Sequence, residues 1–207
     1  MTDQTESDLW NARYAGEDYL FGTAPNRFLA DQARMLPPHG HALAIADGEG
    51  RNGVWLAQRG LEVTSVEFAP AAIAKAHRLA AQCGVSINIV QADLATWDWG
   101  GPRFDVVVGV FFQFAGPALR AAIFRRMQDV LLPGGLLLIE GYTPAQLAHG
   151  TGGPPHVENL YTEALLREAF AAMEILHLAE YEAELAEGSC HVGISAVIDL
   201  VARKPAG

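Results

Sequence analysis

The chain has 207 residues, of which 50% are hydrophobic and 18% charged, enough apolar material for one domain-sized core and too little charge for a disordered chain. Its 24 acidic residues against 14 basic ones give a formal net charge of −10, which repels polyanions and argues against nucleic acid as a partner. The longest apolar run worth testing, Val106 to Phe112, is interrupted by Gly109 and falls far short of the roughly 20 residues that span a bilayer, so no membrane partner is expected.

The start, MTDQTESDLW, is acidic where a secretory signal needs a positive patch and an apolar stretch. The two cysteines, Cys83 and Cys190, stand in neither a metal nor a redox spacing. A cytoplasmic protein with free thiols follows as the expectation. Residues 1–38, polar with scattered aromatics, read as a helical cap: Phe28, Leu29 and Leu36 repeat at near-helical spacing until Pro37-Pro38 stops them. From His41 the texture changes to short apolar runs alternating with helical patterns, the signature of βαβ units around a parallel sheet. Strands are expected over 41–47, 61–67, 87–91, 104–111 and 135–141, with helices over 52–59, 70–83 and 117–132. The Gly- and Pro-rich stretch 144–160 reads as a loop over the site, followed by a helix over 161–172 and a closing hairpin of 174–185 and 192–203 around Gly188-Ser189. No boundary divides 1–207, so a single domain is expected.

Chemistry concentrates where the first strand meets the first long helix. Asp47-Gly48-Glu49-Gly50-Arg51-Asn52-Gly53 matches G-x-G-x-x-G, whose glycines permit a sharp turn and close approach of a ligand to helix N–H groups. Glu67 ends the second strand 20 residues after Asp47, in register for a carboxylate that accepts both hydroxyls of a ribose. Asp93, with Leu94, follows the third strand, where an acceptor suits an adenine amino group. These features serve either a nicotinamide dinucleotide or S-adenosylmethionine. A dehydrogenase usually adds a second domain or a Tyr-x-x-x-Lys pair, and no tyrosine here has a lysine four residues on.

Taken together, the Gly-Glu-Gly-Arg-Asn turn, the acids Glu67 and Asp93, the strand Phe104-Asp105-Val106-Val107-Val108 and the Leu132-Pro133-Gly134-Gly135 turn resemble class I S-adenosylmethionine-dependent methyltransferases over about 30 to 205. The entry segment Trp10-Asn11-Ala12-Arg13-Tyr14 with Tyr19 to Asn26, and the later Gly150 to Pro155, resemble the tellurite-resistance branch, loosely akin to thiopurine methyltransferases. The resemblance implies an α/β, Rossmann-like three-layer sandwich on a seven-stranded, mostly parallel sheet whose last strand is antiparallel. It implies S-adenosyl-L-methionine held by Asp47, Gly48, Glu49, Gly50, Asn52, Glu67, Phe68, Asp93 and Leu94, with Gly109 and Val110 flooring the site. One departure stands out: the class usually has an acid two residues before the first glycine, and here that position is Ala46, with Asp47 beside it. Arg13 is then a candidate for the cofactor's carboxylate, because a guanidinium fits a planar oxyanion, and Trp10 and Tyr14 for covering a sulfonium by cation–π attraction.

The implied acceptor is a small molecule, a thiol or a chalcogen oxyanion, reached by in-line displacement that needs position and desolvation more than an obligatory base. Phe112, Gln113, Tyr142, His149 and His156 are the candidates for its pocket, with the two histidines, Gln113 and Tyr142 as candidate catalytic groups. Cys190 and His191 invite a metal reading, but neighbours on a strand point to opposite faces, and no metal is expected. A monomer or homodimer is expected. The rival readings are a nicotinamide-dependent oxidoreductase and a cofactor-binding domain without chemistry.

Overall fold

The structure, a computed structural model, describes residues 6–101 and 103–206, so the first five residues of the expected cap lie outside the described residues. Two short helices come first, α1 (Glu6–Tyr14) and α2 (Arg27–Asp31), and Asn26 caps the second by accepting the Leu29 N–H on its side chain. The alternating part follows: β1 (His41–Ile45), α3 (Arg51–Gln58), β2 (Glu62–Glu67), α4 (Pro70–Gln82), β3 (Asn88–Gln91), β4 (Phe104–Val110), α5 (Pro117–Asp129) and β5 (Leu131–Tyr142). Pro70 and Pro117 each open a helix, where a missing N–H costs nothing. The chain ends with α6 (Gln146–His149), a 3-10 turn at Val157–Asn159, α7 (Glu163–Ala169), β6 (Glu174–Glu187) and β7 (His191–Arg203).

The seven strands form one sheet in the order β3-β2-β1-β4-β5-β7-β6, parallel from β3 to β5, with β7 antiparallel to both its neighbours. Strand periodicity explains the layers, since alternate residues serve opposite faces. Leu43, Ile45, Val107, Leu137 and Ile139 meet Phe112, Phe124, Tyr161 and Phe170 on the side of α5 and α7. Ala42, Val106, Val108, Leu136 and Leu138 meet Phe28, Leu29 and Leu56 on the side of α2 and α3. Both faces being covered, these strands are apolar throughout rather than alternating. The order reverses direction between β1 and β4, and a crevice opens beyond their carboxyl ends at such a switch point.

Two expected segments differ. β5 begins at Leu131 rather than 135, because Leu131 already pairs with Phe104 before the register shifts, which absorbs Pro133 and Gly134 inside the strand. The 144–160 stretch is not all loop: Gln146 holds α6 against β7, its side chain accepting the Ala196 N–H at 2.8 Å and donating to Thr151 and to the Gly152 carbonyl.

Candidate active site

At the carboxyl end of β1 the backbone turns sharply, with Ala46 at φ 45° and Gly50 at φ 86° as the N-cap of α3. A Cβ on Gly50 would stand 2.7 Å from the Ala76 side chain of α4, so only glycine lets the two helices close there. The carboxyl end of β4 is strained as well, with Phe111 at φ 52°. Non-glycine residues in this region cost on the order of 1–3 kcal/mol each and persist where surrounding structure fixes them, often at functional sites.

Between these strand ends lies a cavity of about 580 Å³, within the range of small-molecule sites. One end is formed by Asp47, Gly48, Asn52, Glu67 and Phe68 beneath the α1 side chains Trp10, Arg13 and Tyr14. Glu67 is buried and its carboxylate accepts three backbone N–H groups, those of Gly48, Phe68 and Ala69, each at 2.9 Å. Burial pushes its carboxyl above the ordinary value, and those three amides oppose the shift. Asp47 accepts from the Gly53 N–H and the Ser65 hydroxyl, and burial pushes it up to about 7. Over this end the Trp10 and Tyr14 rings stack with centroids 5.6 Å apart, and the Arg13 guanidinium sits 4.3 Å from the centre of Trp10.

The other end is aromatic. Phe21, Phe111 and Tyr142 surround His191, with ring centroids 4.5, 4.5 and 5.8 Å from its imidazole. His191 Nδ1 lies 3.5 Å from Glu187 Oε2, the oxygen to which Arg51 donates at 2.7 Å. The other Glu187 oxygen accepts from the Asn26 amide and the Arg27 N–H, each at 3.1 Å. Burial pushes Glu187 up, but its bonds with His191 and Arg51 outweigh that and hold the carboxyl at about 2. Burial lowers the His191 imidazole from its ordinary value, with Glu187 opposing, so the ring is neutral near pH 7. The Tyr142 hydroxyl is buried without a hydrogen-bond partner among the described residues, and burial with the nearby Glu140 pushes the phenol up, so it stays a donor.

The expected site residues divide accordingly. Trp10, Arg13, Tyr14, Asp47, Gly48, Asn52, Glu67, Phe68, Val110, Phe112, Gln113, Tyr142 and His156 all line the cavity. Gln113 spends its side-chain amide on the Tyr142 and Asn159 carbonyls and the Tyr142 N–H, so it positions Tyr142. Six others stand elsewhere. Glu49 is buried in an ion pair with Lys75 at 2.7 Å, and Gly50 packs on Ala76. Asp93 is exposed and accepts the N–H of Ala95 two residues on, while Leu94 belongs to the core. Gly109 faces Phe112 and Met127, and His149 pairs with Glu182 on β6 at 3.0 Å. The sequence reading missed Asn26, Arg51, Phe111, Glu187 and His191, because their meeting depends on α2, α3, β4 and the terminal hairpin converging. The sequence brought up His191 only beside Cys190, as a metal pair that strand geometry argued against.

Residues 42–135 match the family model described as a methyltransferase domain. No curated protein sequence matches the chain. Among solved structures, a protein studied for the conversion of a disulfide bond into a thioacetal group during echinomycin biosynthesis is 18% identical with a TM-score of 0.79, covering 98% of this chain and 93% of that one. TehB from Haemophilus influenzae is 21% identical with a TM-score of 0.69, covering 96% of this chain and 66% of that one. The N-methyltransferase NodS from Bradyrhizobium japonicum WM9, in complex with S-adenosyl-l-homocysteine, is 15% identical with a TM-score of 0.68, covering 98% of this chain and 90% of that one. Likeness at these identities is likeness of fold.

Proposed function

We propose that this methyltransferase, whose methyl donor is S-adenosylmethionine, acts on a small thiol. The observation that carries the reading is one continuous cavity with two chemically different ends, a carboxylate-bearing rim at Glu67 and an aromatic chamber at His191 and Tyr142. The donor fits the first end: the Glu67 carboxylate is already aimed by three amides, so it needs no reorganisation to meet a diol. Arg13 and the stacked Trp10 and Tyr14 close over that end, suited to a carboxylate and a sulfonium respectively. When bound, the donor supplies an electrophilic methyl carbon; the chain's part is to hold the acceptor in line and keep water away.

Charge discriminates between the two acceptor classes. Of the two cationic side chains around the aromatic chamber, Arg51 is occupied by Glu187 and by the Phe21 carbonyl and Arg13 is assigned to the donor's carboxylate, so in this reading neither is left to neutralise an entering oxyanion. A thiol needs no such cation, and sulfur makes favourable contacts with aromatic rings. Of the segments resembling the tellurite-resistance branch, Trp10 to Tyr14 with Tyr19 to Asn26 and Gly150 to Pro155, each contributes residues to the cavity, among them Trp10, Phe21 and Gly152, which fits the same soft-acceptor chemistry. A cytoplasmic setting belongs to this reading, because Cys190 lines the cavity as a free thiol and needs a reducing compartment to stay one. The cavity is formed within one chain, so the reading requires no second copy.

The test is transfer of labelled methyl from S-adenosylmethionine to a panel of thiols, with selenite and tellurite as the oxyanion arm, beside calorimetry with S-adenosylhomocysteine and NADH. Thiol methylation and S-adenosylhomocysteine binding are expected. Label found only on the oxyanions would move the acceptor to the other class, and NADH binding alone would move the chain to the oxidoreductases.

A further inference from the structure

Within the methyl-transfer reading above, on which this step rests, we infer that His191 is the general base of the site, that Glu187 is the residue that positions it, and that the acceptor enters as a neutral thiol carried on an apolar or aromatic group.

A thiol is a poor nucleophile until it loses its proton, and at neutral pH most ordinary thiols hold it. A site can therefore gain by removing that proton as the sulfur attacks. Among the cavity-lining groups, His191 has the right neighbours for it. Its Nδ1 faces Glu187, and among the described residues no hydrogen bond engages Nε2. A carboxylate on one ring nitrogen fixes the tautomer that leaves the other free to accept, and it stabilises the imidazolium that forms. The 3.5 Å separation is long, as such contacts often are before substrate binds. Glu187 is itself held from three sides, by Arg51, by the Asn26 amide and by the Arg27 N–H, so the dyad is built rather than incidental.

The alternatives fail on geometry or charge. His149 lies off the cavity against Glu182, and His156 is exposed with Glu158 3.9 Å away. Tyr142 keeps its proton, so its unpartnered hydroxyl is suited to donating to the acceptor rather than to accepting from it. The charged and titratable groups around His191 are Glu187 from β6, Arg51 from α3, Arg13 from α1, Tyr142 from β5 and the adjacent Cys190. Burial and the two arginines keep the ring neutral, while Glu187 raises its basicity against them. Phe21, Phe111 and Tyr142 form the walls beside it, so the group carrying the sulfur is apolar or aromatic.

In the step, a lone pair on the acceptor sulfur forms the bond to the methyl carbon while the carbon–sulfur bond of the sulfonium breaks, its electron pair remaining on the departing thioether. The S–H proton passes to His191 Nε2 and then to solvent. No oxidant or reductant is needed.

The experiment measures kcat/KM against pH for methylation of benzyl mercaptan by the wild-type chain, His191→Gln, Glu187→Gln and His191→Ala. At pH 7 the His191→Gln variant is expected to lose about 100-fold, the lower part of the usual span for general-base catalysis. That gap should close as the pH rises past the thiol's own pKa, because solvent then supplies the thiolate. Imidazole should restore part of the His191→Ala activity. Independently of turnover, ring NMR of the S-adenosylhomocysteine complex should show His191 titrating lower in Glu187→Gln than in wild type. A loss equal at every pH, unmoved by imidazole, would make His191 a packing residue; no loss would remove it from the reaction; either result overturns the inference. If the wild-type chain binds no S-adenosylhomocysteine and methylates no thiol, the underlying reading falls, a separate outcome from a functioning enzyme indifferent to His191.

Discussion

Glu67 and Asn26 show how single side chains set this site. Glu67 spends its carboxylate on the amides of Gly48, Phe68 and Ala69, which fixes both the turn after β1 and the entry to α4 before any ligand arrives. Glu67→Ala is expected to weaken S-adenosylhomocysteine binding by about 1.5–3 kcal/mol, the range for hydrogen bonds to a charged group, as read by titration calorimetry. Unchanged affinity would remove Glu67 from the ribose. Asn26 is fully buried, and its side chain caps α2 while donating to Glu140 and Glu187. Asn26→Ala removes a helix cap and takes one donor from each of two carboxylates, Glu140 and Glu187, of which Glu187 keeps Arg51 and the Arg27 N–H. A stability loss of about 2–4 kcal/mol is expected from the denaturant midpoint, with roughly 1 kcal/mol from the cap.

Two segments close the aromatic chamber, and each is fastened differently. The tip of the β6–β7 hairpin is clasped to the N-terminal segment, with the Ser189 and Cys190 N–H groups both donating to the Leu20 carbonyl at 2.8 and 3.2 Å. Gly188 stands at φ 64° against that carbonyl, where any side chain would collide. The 150–155 segment is anchored at its first residues, through Gln146 on Thr151 and the Gly152 carbonyl and through Thr151 on the Ile194 carbonyl, and passes over the Tyr142 ring as Gly152-Gly153. A short Gly-Gly arm ending in Pro154-Pro155 is suited to opening and closing over an acceptor. Deleting 150–155 is expected to lower kcat/KM for a thiol at least about tenfold while leaving S-adenosylhomocysteine affinity unchanged, since misplacement at a site costs rate steeply. Turnover that survives the deletion would show that the segment is no lid.

Across the whole molecule, buried acids dominate the response to pH. Asp47 is pushed up to about 7 and Asp199 to about 6, both by burial foremost, and Glu67 and Glu140 are raised for the same first reason. Glu140 and Asp199 face each other across β5 and β7, so the Asp199 charge adds to the cost of ionising Glu140, while a hydrogen bond with Glu140 works against the rise at Asp199. For a group with a raised folded-state value the folded chain binds more protons than the unfolded one, so stability falls as pH rises through that window. Glu187 works in the opposite sense: held at about 2, its contribution disappears only as pH falls below its ordinary value. Thermal unfolding should therefore show greater stability near pH 5 than near pH 8, with a decline on further acidification. Asp47→Asn, which removes a buried acid that titrates near neutrality, should raise Tm at pH 8 more than at pH 5; an equal shift at both would mean that Asp47 does not ionise in this range.

What the sequence determined by itself is the part of the protein governed by local rules. Strand and helix periodicity, the glycine turn after β1 and the acid at the end of β2 mark out a parallel sheet and its crevice, because each is specified within about 30 residues of chain. Segment ends were less legible: β5 starts before its glycines because Leu131 finds Phe104 across the sheet, a pairing no local propensity encodes. Apart from Tyr142, which the sequence reading named, the aromatic end of the cavity was decided by tertiary structure. Asn26, Arg51, Phe111, Tyr142, Glu187 and His191 come from six separate elements or turns and meet only when the terminal hairpin folds back beside β5. A histidine on a strand reads the same in sequence whether solvent or a buried carboxylate awaits it, and its basicity is set by that neighbour rather than by the chain on either side.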